Sequence, residues 1–333
     1  MKYILFLIFY SLFSVAVSDA QAQPVRRARK GIIIAGLGHQ TRAMEPFAGT
    51  QADGERYAET VNFYQSLLEP GVRVYCMPIP NAVALYCPES ALPWTGDERK
   101  AIDHLLGSLN KSVVPVPLLD SLLAHTREPI YSRTDHHWAP LGAYYAARQL
   151  AAAARVPFKD LSHYEADTIR NYVGTMYRFS GSPLVKRAPE NFVYYKPQGI
   201  DYTTDAIRYT LSGGRAVSDT LGFQPSQFFF SYPDGSNAAY LTFMRGDLNT
   251  TRVRTATKNN RRLLILKDSY GNALPAFLFF SFEEVHVVDC RYFPDNIIDY
   301  VTEQQITDLV FCNNLIHAHM PTITDNYMRY LEQ

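Results

Sequence analysis

Asp135, His136 and His137 stand side by side in the run YSRTDHHWAPLGAYYAARQLAAAA (131–154), just ahead of a tryptophan, a proline and an alanine-rich segment. The chain holds only nine histidines in 333 residues. An adjacent pair beside an acid therefore invites three readings: metal ligands, an acid–base pair, or a polar helix start. In an extended segment residues two apart point the same way. That places Asp135 and His137 on one side and leaves His136 as a packing residue on the other. An aspartate that orients an imidazole makes it a usable general base. A metal would require adjacent histidines to reach one ion, helped by His317 or His319 of LIHAHM. No His-x-Glu, Asp-x-Asp or Cys-x-x-Cys partner accompanies them, so neither a metal nor another cofactor is expected.

A base of this kind needs a nucleophile. LLILKDSYGNALP (263–275) carries an apolar strand into Lys267-Asp268-Ser269, followed by Tyr270-Gly271-Asn272 and an apparent helix. This arrangement lifts the Ser269 hydroxyl at a strand end, beside free backbone N–H groups that suit a developing oxyanion. Gly271 would keep the approach open, and a serine at such a place is equally an ordinary helix cap. Two further strand ends supply donors: VVDCRYF places Arg291 after one strand, and VFCNNLI places Asn313 and Asn314 after the next. If the strands are parallel, all of these share one edge with Ser269. RGD at 245–247 is read as a chance match to an adhesion motif.

These residues must be positioned by the elements around them. Apolar, β-branched runs at 31–36, 72–80, 112–117, 262–269, 285–293 and 308–314 alternate with helical patterns at 54–69, 97–109 and 140–154. Continuous apolar strands separated by helices argue for a mostly parallel sheet covered on both faces. Pro140 occupies the first helical turn, where it is best tolerated. Residues 170–258 show alternation and turn signals without a helical period, which reads as a β-rich insertion in the α/β unit. Such insertions commonly cover the strand ends where open α/β sheets bind ligands.

Composition narrows the setting. Thirty-two basic and 32 acidic residues give zero net charge, so there is no basic footprint for nucleic acid. Residues 1–22 combine Lys2, the apolar run ILFLIFYSLFSVAV and a small-x-small site at Ala20 and Ala22. The run is too short to span a bilayer and reads as a signal peptide cleaved near Ala22, leaving a unit at 23–333 that is periplasmic or secreted. Of the four cysteines, Cys76, Cys290 and Cys312 lie in apolar strand-like runs and read as small buried hydrophobes rather than bridges.

YSRTDHHWAPLGAYYA, YLTFMRGDLN, LLILKDSYGNAL, VHVVDCRYF and FCNNLI, in that order, resemble the DHHW family of exported bacterial proteins; RAMEPFAG (42–49) and NYVGTMYRFSGSP (171–183) look like further family segments. That family is similar to the SGNH-hydrolase-like domains of the alginate O-acetylation proteins. The resemblance implies a three-layer α/β/α, flavodoxin-like fold and an Asp135–His137–Ser269 triad. It also implies Arg291 and Asn313 as oxyanion or substrate donors, beside the backbone N–H groups at Tyr270 and Gly271 that the turn after Ser269 offers. Serine-dependent acyl chemistry on a glycan follows, as O-acyltransfer or esterase activity, with a membrane acyl-donor protein as a partner. Lys267 stands where the related Gly-Asp-Ser block has glycine. The alternative is an exported glycan-binding or surface protein that keeps the scaffold without catalysis.

Overall fold

The structure, a computed structural model, describes residues 24–332 apart from 214 and 219–221. The signal peptide and the cleavage site near Ala22 lie outside the described residues. The fold is mixed α/β around one nine-stranded sheet. Five strands run parallel, in the order Glu284–Asp289, Arg262–Lys267, Asp308–Cys312, Arg73–Cys76 and Val113–Pro115. Leu263, Leu264, Ile265 and Leu266 are fully buried. A strand covered on both faces needs such an uninterrupted apolar run.

The register aligns the strand ends. Lys267 pairs with Asp289 on one side and Cys312 on the other, while Phe311 pairs with Cys76. Segments that follow these residues therefore leave from one edge, as open parallel sheets require of a ligand site. Phe311 projects towards Tyr57 and Tyr64 of helix Gln51–Leu67 and Tyr327 of helix Pro321–Arg329. Asp308, three residues earlier, points the other way. It accepts from Tyr75 Oη at 2.9 Å and Arg261 Nε at 2.7 Å, and Arg261 also donates to the Ala154 carbonyl that ends helix Pro140–Ala154.

Three expectations change. GIIIAG supplies Ile33–Ala35, but this strand joins Val25–Arg27 and Arg42–Met44 in a separate antiparallel sheet. The 170–258 segment divides in two. Tyr202–Ser212 and Asn249–Thr255 extend the main sheet antiparallel from Glu284–Asp289, with Arg215–Ser218 and Gln224–Ser226 on Tyr202–Ser212. Tyr164–Tyr172 and Glu190–Pro197 instead make a separate ribbon. Alternation identified strands here but carries no information about their partners. Finally, the segment directly after Ser269 is not an α-helix; the chain makes two short 3-10 turns there, Ser269–Ala273 and Pro275–Leu278. Pro275 lacks the N–H that a continuous helix would use, and the expected helix dipole behind the serine is absent.

All four cysteines are free. No helix among the described residues is long and apolar enough to cross a membrane.

Candidate active site

Ser269 follows the central strand Arg262–Lys267 directly, and His137 ends a loop that precedes helix Pro140–Ala154. Their side chains meet. His137 Nε2 lies 2.8 Å from Ser269 Oγ, and His137 Nδ1 lies 2.5 Å from Asp135 Oδ1. An ionised carboxylate can only accept, so Nδ1 carries the proton and Nε2 is left to accept from the serine hydroxyl. Asp135 is buried, which alone would raise its pKa. The imidazoles of His137 and His136, with the hydrogen bonds from His137 and Thr175, outweigh burial and hold it well below the ordinary carboxylate range.

The loop bends through 133–137 instead of running extended, which defeats the alternation argument for His136. The two imidazoles lie on the same side with ring centres 3.7 Å apart, and both line the cleft. Burial first, and then the neighbouring His137, lower the His136 pKa to about 3. His136 is thus neutral and placed by Thr175 Oγ1 at 2.6 Å. Asp135, His136 and His137 present ligand atoms within 4.8 Å of one another. Yet His137 already uses both ring nitrogens, and Asp135 accepts from the His137 and Thr175 backbone N–H groups and the Thr175 hydroxyl.

Three segments hold the loop in that bend. Glu190 of the ribbon accepts from Ser132 Oγ at 2.6 Å and from the backbone N–H groups of Arg133 and Thr134. The Ala43 N–H donates to the Arg133 carbonyl at 2.9 Å. Gly174 leaves room for the acid: a Cβ there would stand 2.3 Å from Asp135 Oδ2. Gly174→Ala must push the carboxylate aside, and displacements of this size cost on the order of a hundredfold in rate. We expect covalent labelling of Ser269 by a sulfonyl fluoride to slow by about that factor, measured as adduct mass over time; wild-type rates would show that the Asp135 position is unimportant.

Tyr240 lies flat on His137, with ring centres 3.8 Å apart and planes 4° from parallel. Trp138 Nε1 donates to the Tyr270 carbonyl at 2.7 Å, tying the histidine loop to the serine turn. Sequence reasoning missed Tyr240, Glu190, Gly174 and Thr175 as site residues. Three of them lie in segments already quoted for the family resemblance; Glu190 carried no signal.

The oxyanion donors differ from expectation. Asp268, just before the serine, takes the Tyr270 N–H on Oδ1 at 2.9 Å, and its carbonyl takes the Gly271 N–H at 3.0 Å. The Tyr270 hydroxyl donates to the His136 carbonyl, so this buried ring braces the loop. Gly271 is small for a local reason: a Cβ would stand 2.5 Å from Lys267 Cβ. Asn313 is fully buried away from the cleft, its Oδ1 accepting from Tyr57 and Tyr327. Arg291 does reach the cleft wall, with Nε and Nη2 held by Asp289 and Nη2 also 2.9 Å from Asp247. Lys267 fills the glycine position with a buried ammonium, 2.8 Å from Asp289 Oδ2 and 3.1 Å from Asp247 Oδ1. The aspartate of RGD is therefore a buttress of the site, not an exposed adhesion group.

The cleft has a volume of about 1210 Å3. Behind it, Asn81 Nδ2 donates to the Tyr270 hydroxyl, and the Asn81 N–H donates to Glu98 Oε2 at 2.8 Å. Burial pushes the Glu98 carboxyl up to about 8. The folded state therefore keeps a proton that the unfolded chain loses near pH 4.5, and stability falls as pH rises between the two values. Glu98→Gln keeps the acceptor without the charge. It is expected to stabilise the fold by roughly 4 kcal/mol at pH 8 and about 1 kcal/mol at pH 5, read from urea midpoints at both pH values. Equal effects at both would remove the charge explanation.

Fold and site together define a mixed α/β protein with a serine, a histidine and an aspartate in one hydrogen-bonded row above the strand ends. The chain belongs to the DHHW family, matching the DHHW protein family over residues 34–288. It is similar to the crystal structure of a DHHW family protein from Eubacterium siraeum DSM 15702. The two are 36% identical, with 90% of this chain and 95% of that one covered and a TM-score of 0.81. The structure of Bacillus cereus PatB1 with a sulfonyl adduct shares the fold at 17% identity, covering 90% of this chain and 97% of that one, with a TM-score of 0.64. The O-acetyltransferase domain of Pseudomonas putida AlgJ aligns at 13% identity and a TM-score of 0.45, over 92% of this chain and 99% of that one. No curated protein matches the chain.

Proposed function

We propose that this is an exported serine O-acyltransferase or esterase acting on acyl, chiefly acetyl, esters of a glycan. The observation that carries the reading is the row Ser269 Oγ–His137 Nε2–Asp135, at 2.8 and 2.5 Å, open to a large cleft. Ser269 Oγ attacks the acyl carbonyl while His137 Nε2 takes its proton. Asp135 fixes the imidazole tautomer and balances the imidazolium charge. Arg291 is the positive donor on the wall for the developing oxyanion. His137 then protonates the leaving oxygen, and the acyl group passes from Ser269 to water or to a sugar hydroxyl. We read the scaffold as a three-layer α/β/α, flavodoxin-like unit of the SGNH type at 23–333, its 170–258 segment an insertion. A signal peptide would direct it to the periplasm or the outside, where a membrane protein supplies the acyl donor.

One observation favours the competing reading of a glycan-binding protein: the Tyr270 and Gly271 N–H groups are already taken by Asp268. The experiment that separates the two treats wild type and Ser269→Ala with a sulfonyl fluoride and measures intact mass, with p-nitrophenyl acetate turnover alongside. We expect one adduct, on Ser269, in wild type only, and turnover at least about a thousandfold above the variant. No adduct and equal rates would leave the binding reading.

A further inference from the structure

Three acidic side chains line the cleft: Glu45, Asp135 and Asp247. Two are fully engaged. Asp135 is held by His137 and Thr175, and Asp247 by Lys267, Asn272 and Arg291. Glu45 makes no hydrogen bond or ion pair among the described residues. It is half-buried just after strand Arg42–Met44, with Pro46 next in the chain. A half-buried carboxylate with no protein partner is free to accept from a ligand's donors.

Its counterpart is on the same wall. His317, in the short helix Leu315–Ala318 after the strand Asp308–Cys312, has Nδ1 3.0 Å from Asp268 Oδ2. Burial alone would lower the His317 pKa, but that carboxylate outweighs it and raises the value above the ordinary one; the imidazolium so favoured donates from Nδ1 to Asp268 and carries a second N–H at Nε2. Nε2 has no protein partner among the described residues, and the side chain, about a quarter exposed, lines the cleft. Burial raises the Glu45 pKa and the charges of His317 and then His137 oppose it, and all three side chains line the same cleft. The molecule thus holds two Asp–His pairs around Ser269, and the mechanism above uses only Asp135–His137.

We propose that Glu45 and His317 form a subsite that seats the hydroxyl groups of a sugar acceptor beside Ser269, the Glu45 carboxylate accepting from one hydroxyl and His317 Nε2 donating to its neighbour. A carboxylate facing a ring N–H matches a vicinal diol, in which each hydroxyl both donates and accepts. The subsite deepens the acyl-transfer reading and rests on it. In the transfer step an acceptor oxygen so held forms a bond to the acyl carbon as the carbon–Oγ bond of acyl-Ser269 breaks. The acceptor proton passes to His137 Nε2 and on to Ser269 Oγ. Glu45 and His317 are positioning residues: they set where the hydroxyl lies and exchange no proton.

The test measures binding without catalysis. In the Ser269→Ala background, calorimetry with chitotetraose and cellotetraose should give a Kd that rises at least tenfold with Glu45→Ala or His317→Ala. Glu45→Gln should recover part of the loss, because its amide oxygen still accepts; a merely structural role would show no such rescue. With Ser269 intact, acetyl transfer from p-nitrophenyl acetate, which releases p-nitrophenol, to the tighter tetrasaccharide should show the loss of Glu45 mainly as a raised acceptor KM. Unchanged Kd in both alanine variants, or no binding of either sugar by the Ser269→Ala protein, would overturn the subsite. A wild-type protein that takes no sulfonyl adduct, yet binds sugar through Glu45 and His317, would overturn the acyl-transfer reading and leave the diol subsite standing.

Discussion

Lys267→Ala is expected to lower the unfolding free energy by about 3–5 kcal/mol, a large share of the roughly 5–15 kcal/mol that holds typical domains. Lys267 is 1% exposed. Its ammonium and the Arg291 guanidinium face Asp247 and Asp289, two charges of each sign in one network. Removing one cation leaves two carboxylates, one of them fully buried, to share the single Arg291 guanidinium, and the departed side chain also leaves a cavity beneath Gly271. Lys267→Met separates the two causes, since it fills the space without the charge. If the ion network dominates, both variants should lose similar stability in urea denaturation; a methionine variant near wild type would assign the loss to packing. An alanine variant within about 1 kcal/mol of wild type would show that the network contributes little.

Asp135→Asn is expected to reduce Ser269 acylation by about 10,000-fold while leaving the fold intact. The amide NH2 would donate to His137 Nδ1 and force the proton onto Nε2, which then faces Ser269 as a donor and cannot accept. Stopped-flow acylation by p-nitrophenyl acetate reads the loss directly, and a drop of less than tenfold would remove Asp135 from the mechanism. The same substitution has a signature in stability. The folded pKa of Asp135 is depressed below its ordinary 3.8. Its contribution is therefore present above that value and is lost as pH falls through the folded one. The asparagine variant should lack this part of the acid-induced loss.

The parallel half of the fold was readable because strands buried on both faces must be continuously apolar, as LLIL at 263–266 is. Asp135, His137 and Ser269 were readable because their types and order carry a chemical logic independent of contacts. The place of His136 was not, since alternation presumes extended backbone and the loop is bent by Glu190, a residue 56 positions beyond Thr134. The supposed oxyanion N–H groups failed for a similarly local reason. The Asp268 side chain that precedes the serine folds back onto the turn, and one-dimensional spacing does not reveal which acceptor a backbone N–H will choose. Lys267, which looked like a departure at a glycine position, became intelligible only with its two carboxylates in view.

The strand that presents Ser269 is flanked by Glu284–Asp289 and Asp308–Cys312, both later in the chain, whereas the DHHW loop comes 132 residues earlier. During synthesis the histidine half is thus finished long before the serine half has a sheet to stand on. Asp135, His137 and Ser269 come together only when the chain is nearly complete. Contacts so distant in sequence also make folding slow. A chain that ends before the Asp308–Cys312 strand lacks the parallel neighbour on one side of the strand that presents Ser269.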